Sequence, residues 1–180
     1  MTLDDGTRLV RKRVSPEWDW ISRATADGGR ALVMWEGGLF ERVPPSLDHA
    51  TVGVEREGDG WSIFMRDVSA AMVGPEEILD RGSVQQVLAA LADMHLAFWG
   101  ETASGLCGLE DRYHLLSPRT ARRETERGHP VGDVISRCWD AFVDLVPAEI
   151  ATAVLTLAER PELLAEQLAG CERTLVHGDL

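Results

Sequence analysis

Lysine is almost missing from this chain. Of its eighteen basic residues, only Lys12 is a lysine and seventeen are arginine, and they stand against thirty acidic residues for a net charge of −12. Such an acid excess excludes a general binder of nucleic acid or anionic membrane, because those surfaces require Lys and Arg to neutralise phosphates. A local basic pocket remains compatible with it. Cysteine is also scarce: Cys107, Cys138 and Cys171 are odd in number, widely spaced and free of any CxxC pair. They exclude a disulfide framework and a thiolate metal site, and point to a reducing, cytoplasmic setting. No run approaches the roughly eighteen apolar residues of a membrane span. The opening residues carry Asp4 and Asp5 rather than an apolar leader, so neither export nor insertion is expected. Internal repeats and low-complexity tracts are lacking, which excludes solenoid and fibrous architectures.

What is present suits one modest domain: 180 residues, 44% of them hydrophobic, can fill a sizeable core. Six tryptophans, at 18, 20, 35, 61, 99 and 139, fall on the faces of predicted elements and are expected in packing rather than base stacking. Leu9 to Val14 reads as a strand that contains Lys12. Glu17–Arg23 and Arg30–Trp35 read as short helices, the second closed by Gly37 and Gly38. Pro44 and Pro45 make an extended link to a hairpin, with strands at Thr51–Glu57 and Trp61–Met65 around Gly58, Asp59 and Gly60.

From Ser69 the pattern turns helical. Ser83 and Gln86 form a candidate capping box, and Val84, Val87, Leu88, Leu91, His95 and Phe98 recur at helical spacing up to Gly100. His95 is expected in the core. A polar connection then leads through Leu115 and Leu116 to the charged run Arg119–Arg127, most simply a solvated helix or loop. Helices follow from Val131 to Leu145, from Ala148 to Glu159 and from Glu162 to Ala169. Thr174, Leu175 and Val176 form a short strand-like approach to His177, Gly178, Asp179 and Leu180. The fold class is therefore α+β, with residues 1–68 as a part carrying the strands and 69–180 as a mainly helical part.

The terminal segment places a histidine and an aspartate on either side of a glycine in a tight loop, a setting that presents side chains. Asp179 could accept a hydroxyl proton or orient the oxygen for attack, with His177 bracing the loop. The plainer reading is that His177 packs under the strand end and Asp179 caps a turn. A metal hydrolase built on His177 and Asp179 lacks the further His, Asp or Glu ligands it would need. The remaining histidines, His49, His114 and His129, form no tight ligand pattern. Lys12, as the single lysine, invites a local role, although an arginine-rich composition would leave one lysine by chance.

Leu175 to Leu180, LVHGDL, resembles the catalytic-loop motif of the aminoglycoside phosphotransferase-like family, which shares the two-lobed fold of protein kinases. Arg8–Val14, RLVRKRV, resembles that family's nucleotide-lysine strand; Phe64–Val68, FMRDV, its hinge; and Leu91–Gly100, LADMHLAFWG, the first long helix of its larger lobe. The resemblance implies an ATP-dependent transfer of a phosphoryl group to a hydroxyl of a small molecule. On this basis Lys12 would meet the α- and β-phosphates, and Asp179 would face the acceptor hydroxyl with His177 supporting the loop. The backbone of Met65, Arg66, Asp67 and Val68 would meet the adenine edge, with Met65 as part of an apolar wall.

The departures are equally specific. Where the family implies a glutamate that holds the lysine, this chain has Ala31, leaving Glu36 as the nearest substitute and Glu41 as a second. The Gly-rich phosphate loop expected ahead of Leu9 and the magnesium-binding asparagine and aspartate expected beyond Asp179 have no counterpart in the sequence. ATP and magnesium are expected for an intact enzyme, and this chain is expected to be an inactive fragment of it, incomplete at both ends, with exposed apolar surface. A non-catalytic nucleotide-binding or regulatory relative is the alternative. The acceptor is a small alcohol; Asp67, Asp93, Glu101 and Asp111 would favour a cationic one. No nucleic-acid or membrane partner is expected.

Overall fold

The computed structural model describes residues 6–74, 76–101 and 103–176. His177 and Asp179 lie outside the described residues. Strand β1 (Leu9–Val14) forms where the alternation places it, and β2 (Thr51–Glu57) and β3 (Gly60–Arg66) make the expected hairpin. Its two-residue loop begins at Gly58 with φ +57°, a backbone conformation open to glycine at little cost. The strands form one antiparallel sheet in the order β1-β3-β2. Val14 of β1 stands opposite Trp61 of β3, and both are buried with Leu32 of α2 (Arg30–Glu36). Ala31, Val54 and Ile63 pack around that cluster. The helix thus covers one face of the sheet, because its apolar residues face the apolar alternate positions of the strands.

Two compact units emerge among the described residues, one drawn from residues 6–14, 29–74, 76–101, 103–104 and 172–176, the other from Ser15–Gly28 and Gly105–Cys171. The first also holds helix α3 (Arg81–Ala97). Asp80, not Ser83, caps this helix: its carboxylate accepts the Ser83 amide at 2.7 Å, so the helix starts ahead of the expected capping box. Its buried stripe is Ala90, Met94 and Phe98, whereas Val84, Val87 and Leu88 are exposed and His95 is half-buried. Apolar side chains surround much of α3, so periodicity alone does not select the covered face. Phe98 is covered by the Arg42 guanidinium, centred 5.0 Å from the ring, and Arg42 in turn pairs with Glu101. The segment 174–176 adopts no strand; Thr174 instead donates its hydroxyl to the His95 carbonyl at 2.7 Å. Of the six tryptophans, Trp61 alone is fully buried, while Trp18, Trp35 and Trp99 are exposed.

The second unit is helical: α1 (Trp20–Ala24), α4 (Leu109–His114), α5 (Pro118–Glu126), α6 (Pro130–Leu145), α7 (Ala148–Glu159) and α8 (Glu162–Leu168). Helix α4 arises within the stretch read as a connection; Glu110 and Asp111 sit in its first turn, where carboxylates complement the helix dipole. Helix α5 is capped by Ser117, with Pro118 in its first turn. Its charged sequence does not leave it fully solvated, since Thr120, Ala121 and Glu124 are buried. Glu124, 1% exposed, forms a bidentate pair with Arg23 of α1. Arg23 also donates to the carbonyls of Pro16 at 2.9 Å and Glu17 at 3.1 Å. The Arg23 hydrogen bonds hold the Glu124 carboxyl below its ordinary range, against a desolvation that pushes it up. Helices α5 and α6 meet at buried Gly132, where a methyl group would strike the Thr125 backbone nitrogen and hydroxyl and come within 2.8 Å of the Ala121 carbonyl oxygen.

Two stability measurements follow from this unit. Glu124→Gln leaves the Arg23 guanidinium buried without its counter-charge and is expected to destabilise the protein by about 3–5 kcal/mol in chemical denaturation. Because the native Glu124 value is depressed, its contribution is complete above the unfolded glutamate value of about 4.3 and is lost as pH falls through the native value. The gap between wild type and Glu124→Gln should therefore close on acidification. Gly132→Ala is expected to cost about 1–3 kcal/mol by overpacking the α5–α6 contact, read as a lowered denaturation midpoint.

Candidate functional site

The period-2 geometry of β1 separates its three consecutive cations. Arg11 and Arg13 share one face with Ser62, Phe64 and Glu57, while Lys12 shares the opposite face with Val10 and Val14. On the arginine face, Arg11 donates to the Ser62 hydroxyl at 3.0 Å and to Glu57 at 2.7 Å, and lies 5.7 Å from the Phe64 ring centroid. Arg13 reaches the same carboxylate at 3.3 Å. The Glu57 carboxyl is held below its ordinary range first by the Ser62 hydroxyl and then by Arg11 and Arg13.

Lys12 is exposed opposite Ile63, on the face that α2 covers at its Val14 end. Among the described residues its ammonium has no ion-pair partner. Glu36 is exposed at the last position of α2 and Glu41 is exposed in the short 3-10 turn Phe40–Arg42; neither pairs with Lys12. The α2 position that approaches the sheet is instead Ala31, packed against the Val14–Leu32–Trp61 cluster. A methyl group there fills space but cannot orient an ammonium.

Two register positions along, on the same face, Val10 stands opposite Met65. Val10 is 44% exposed and Met65 is half-buried, so the pair offers an apolar surface beside the Lys12 charge. The segment after Met65 is more occupied than the sequence implies. The Arg66 amide donates to the Ala50 carbonyl at 2.8 Å and the Asp67 amide to the Arg8 carbonyl at 2.9 Å. The Arg66 side chain pairs with Asp48. Asp67 accepts from the Ser69 amide at 3.0 Å and hydroxyl at 2.5 Å, and pairs with Arg8 at 3.1 Å. Those Ser69 hydrogen bonds, with Arg8 assisting, hold its carboxyl below the ordinary range. Val68, 40% exposed, lies past the ladder.

The structure therefore brings Lys12 and Met65 onto one sheet face, gives Arg66 and Asp67 local structural partners, and leaves Glu36 apart from the lysine. Of the acids expected to attract a cationic acceptor, Glu101 pairs with Arg42, and Asp93 accepts from the Ser46 hydroxyl at 2.9 Å. Asp111 belongs to the second unit, in a cavity with arginines. No group of three or more His, Cys, Asp or Glu side chains able to hold a metal ion occurs among the described residues. An apolar groove of about 300 Å³ in the first unit, between Leu47 and the Val87–Met94 stretch of α3, contains none of the expected site residues. No helix among the described residues is long and apolar enough to cross a membrane. Comparison of the chain with family models, with curated proteins and with solved structures finds no match.

Because Lys12 is exposed and forms no ion pair, Lys12→Met is expected to change folding stability by no more than about 0.5 kcal/mol. Urea denaturation of the two proteins would check this; a larger loss would mean that the lysine supports the fold.

Proposed function

We propose that this chain handles the nucleotide of an ATP-dependent phosphotransferase that phosphorylates a hydroxyl of a small molecule, in a protein-kinase-like setting. The observation that carries the reading is the place of Lys12, the chain's single lysine. It is exposed, without an ion-pair partner among the described residues, and two register positions from the apolar Val10–Met65 pair on the same face. A flexible stem ending in a compact ammonium can follow phosphate oxygens through a reaction, whereas a guanidinium imposes a rigid fork. Val10 and Met65 supply the apolar contact a nucleotide base requires, while the Val68 carbonyl already accepts from the Ala71 amide at 2.8 Å.

Lys12 then draws charge from the α- and β-phosphates, while Asp179, assigned from the LVHGDL motif, orients the acceptor hydroxyl. In the transfer, the hydroxyl oxygen bonds to the γ-phosphorus, the bond from that phosphorus to the departing ADP breaks, and the hydroxyl proton passes to the Asp179 carboxylate. His177 braces the loop. Magnesium bound to the nucleotide would offset phosphate charge. The described residues supply no cluster of three or more ligands for it. A second reading, nucleotide binding without transfer, is favoured by one specific observation: Ala31, Glu36 and Glu41 give Lys12 no carboxylate to fix its direction.

Titration of the full chain with magnesium-ATP, followed by calorimetry, is expected to show saturable binding. Lys12→Met should weaken it about ten- to a hundred-fold, the equivalent of ~1.5–3 kcal/mol for a hydrogen bond to a charged group. ADP formation with amine-bearing alcohols or sugars, abolished by Asp179→Asn, supports transfer by the chain itself; binding without ADP formation fits both the inactive fragment expected from the sequence and the second reading. Absence of saturable binding, or equal binding by Lys12→Met, overturns both.

A further inference from the structure

The second unit contains a cavity of about 170 Å³ whose polar wall is formed by Arg23 of α1, Asp111 and His114 of α4, and Arg119, Thr120 and Arg123 of α5. We infer that this cavity binds the phosphate group of a small molecule, a site separate from the nucleotide reading and independent of it. The charge balance of the surrounding residues carries the inference. Glu124 is paired with Arg23, Glu159 with Arg122, and Glu162 with Arg160. Each of these three acids has an arginine partner, although Glu159 also acts electrostatically on Arg119 and His114 and so offsets part of their charge. Asp111 is the remaining acid of the wall, set against two arginines, so the cavity carries an excess positive charge within a chain of net charge −12.

The geometry selects a tetrahedral oxyanion. Arg119 and Arg123 are four residues apart on α5 and therefore share one helix face about one turn apart, with Cβ atoms roughly 5–6 Å from each other. One guanidinium fork satisfies both oxygens of a carboxylate, whereas the terminal oxygens of a phosphate can accept from two forks at once. Arg23 contributes wall rather than ligand, because its donors already serve Glu124 and the Pro16 and Glu17 carbonyls. The volume lies well below the roughly 300–1,000 Å³ of clefts that enclose drug-sized ligands, which excludes a whole nucleotide and fits a phosphate with a short organic remainder.

His114 adds an incomplete hydrogen-bond set. Its Nε2 lies 3.4 Å from an Arg119 guanidinium nitrogen, which can only donate to it. Its Nδ1 is buried with no hydrogen-bond partner. Buried polar nitrogens are ordinarily paired, and this unpaired one belongs to a wall residue of the cavity.

Full-length protein titrated with inorganic phosphate and with glycerol 3-phosphate, at an ionic strength held constant with sodium chloride, tests the site. Saturable binding is expected by calorimetry, together with a shift of the His114 ring ¹⁵N resonances. Arg119→Gln and Arg123→Gln, singly and together, should weaken binding, the double variant by about tenfold or more. Both side chains are exposed, so the variants should retain the wild-type circular dichroism. Arg42→Gln, which breaks a pair with Glu101 in the other unit, should leave binding unchanged. Asp111→Asn should tighten it by relieving like-charge repulsion. Equal affinity for the two probes supports the free ion as ligand, and tighter binding of the ester supports a phosphorylated small molecule. No saturable response, an equal response to chloride alone, or full retention by the double variant overturns the assignment.

Discussion

The contact of Val14 with Trp61 beneath Leu32 sets everything that follows in the sheet unit. It fixes which face of β1 looks toward α2, and with a side-chain period of two it thereby fixes the direction of every residue in the strand. A slip of one residue would turn Lys12 onto the face of Glu57 and place Arg11 and Arg13 on the other. The arginines would then lose a carboxylate, and the lysine would acquire one. The separation of a free ammonium from two engaged guanidinium groups is thus a consequence of core packing, not of any contact made by the lysine.

Arginine and lysine are used differently throughout. Guanidinium forks join distant segments inside each unit: Arg23 to Glu124, Arg42 to Glu101, Arg122 to Glu159, and Arg66 to Asp48. Most of these are exposed and contribute little individually. The Arg23–Glu124 pair differs because both partners are nearly inaccessible, so loss of either leaves a charge in a poorly solvating environment. Only an arginine can supply the donors needed there for one carboxylate and two backbone carbonyls at once.

Several elements were legible because their signals are local. Alternation at Leu9–Val14 and the Gly58–Asp59 turn both act through short-range backbone sterics. Other features were not. Helix α4 lies in a glycine-containing, polar stretch whose stability comes from packing against α1, α7 and α8. On α3, apolar residues around most of the circumference left the covered stripe undetermined, and the chain buries Ala90, Met94 and Phe98 in place of the more conspicuous Val84 and Leu88. In α5, a run of charges read as solvated because the pattern of one helix carries no information about an arginine one hundred residues away.

For the candidate site the division is the same. The sequence by itself determined that one lysine lies in a strand, that a valine stands two residues before it, and that a histidine and an aspartate flank one glycine. Those are facts of composition and spacing. Tertiary structure decided that Met65 comes opposite Val10, that Arg66 and Asp67 are engaged by Asp48, Arg8 and Ser69, and that Arg119 and Arg123 face a cavity also walled by Asp111 and His114. Hydrogen-bond register and charge pairing link residues far apart in the chain, and their energies depend on distances that no local pattern encodes.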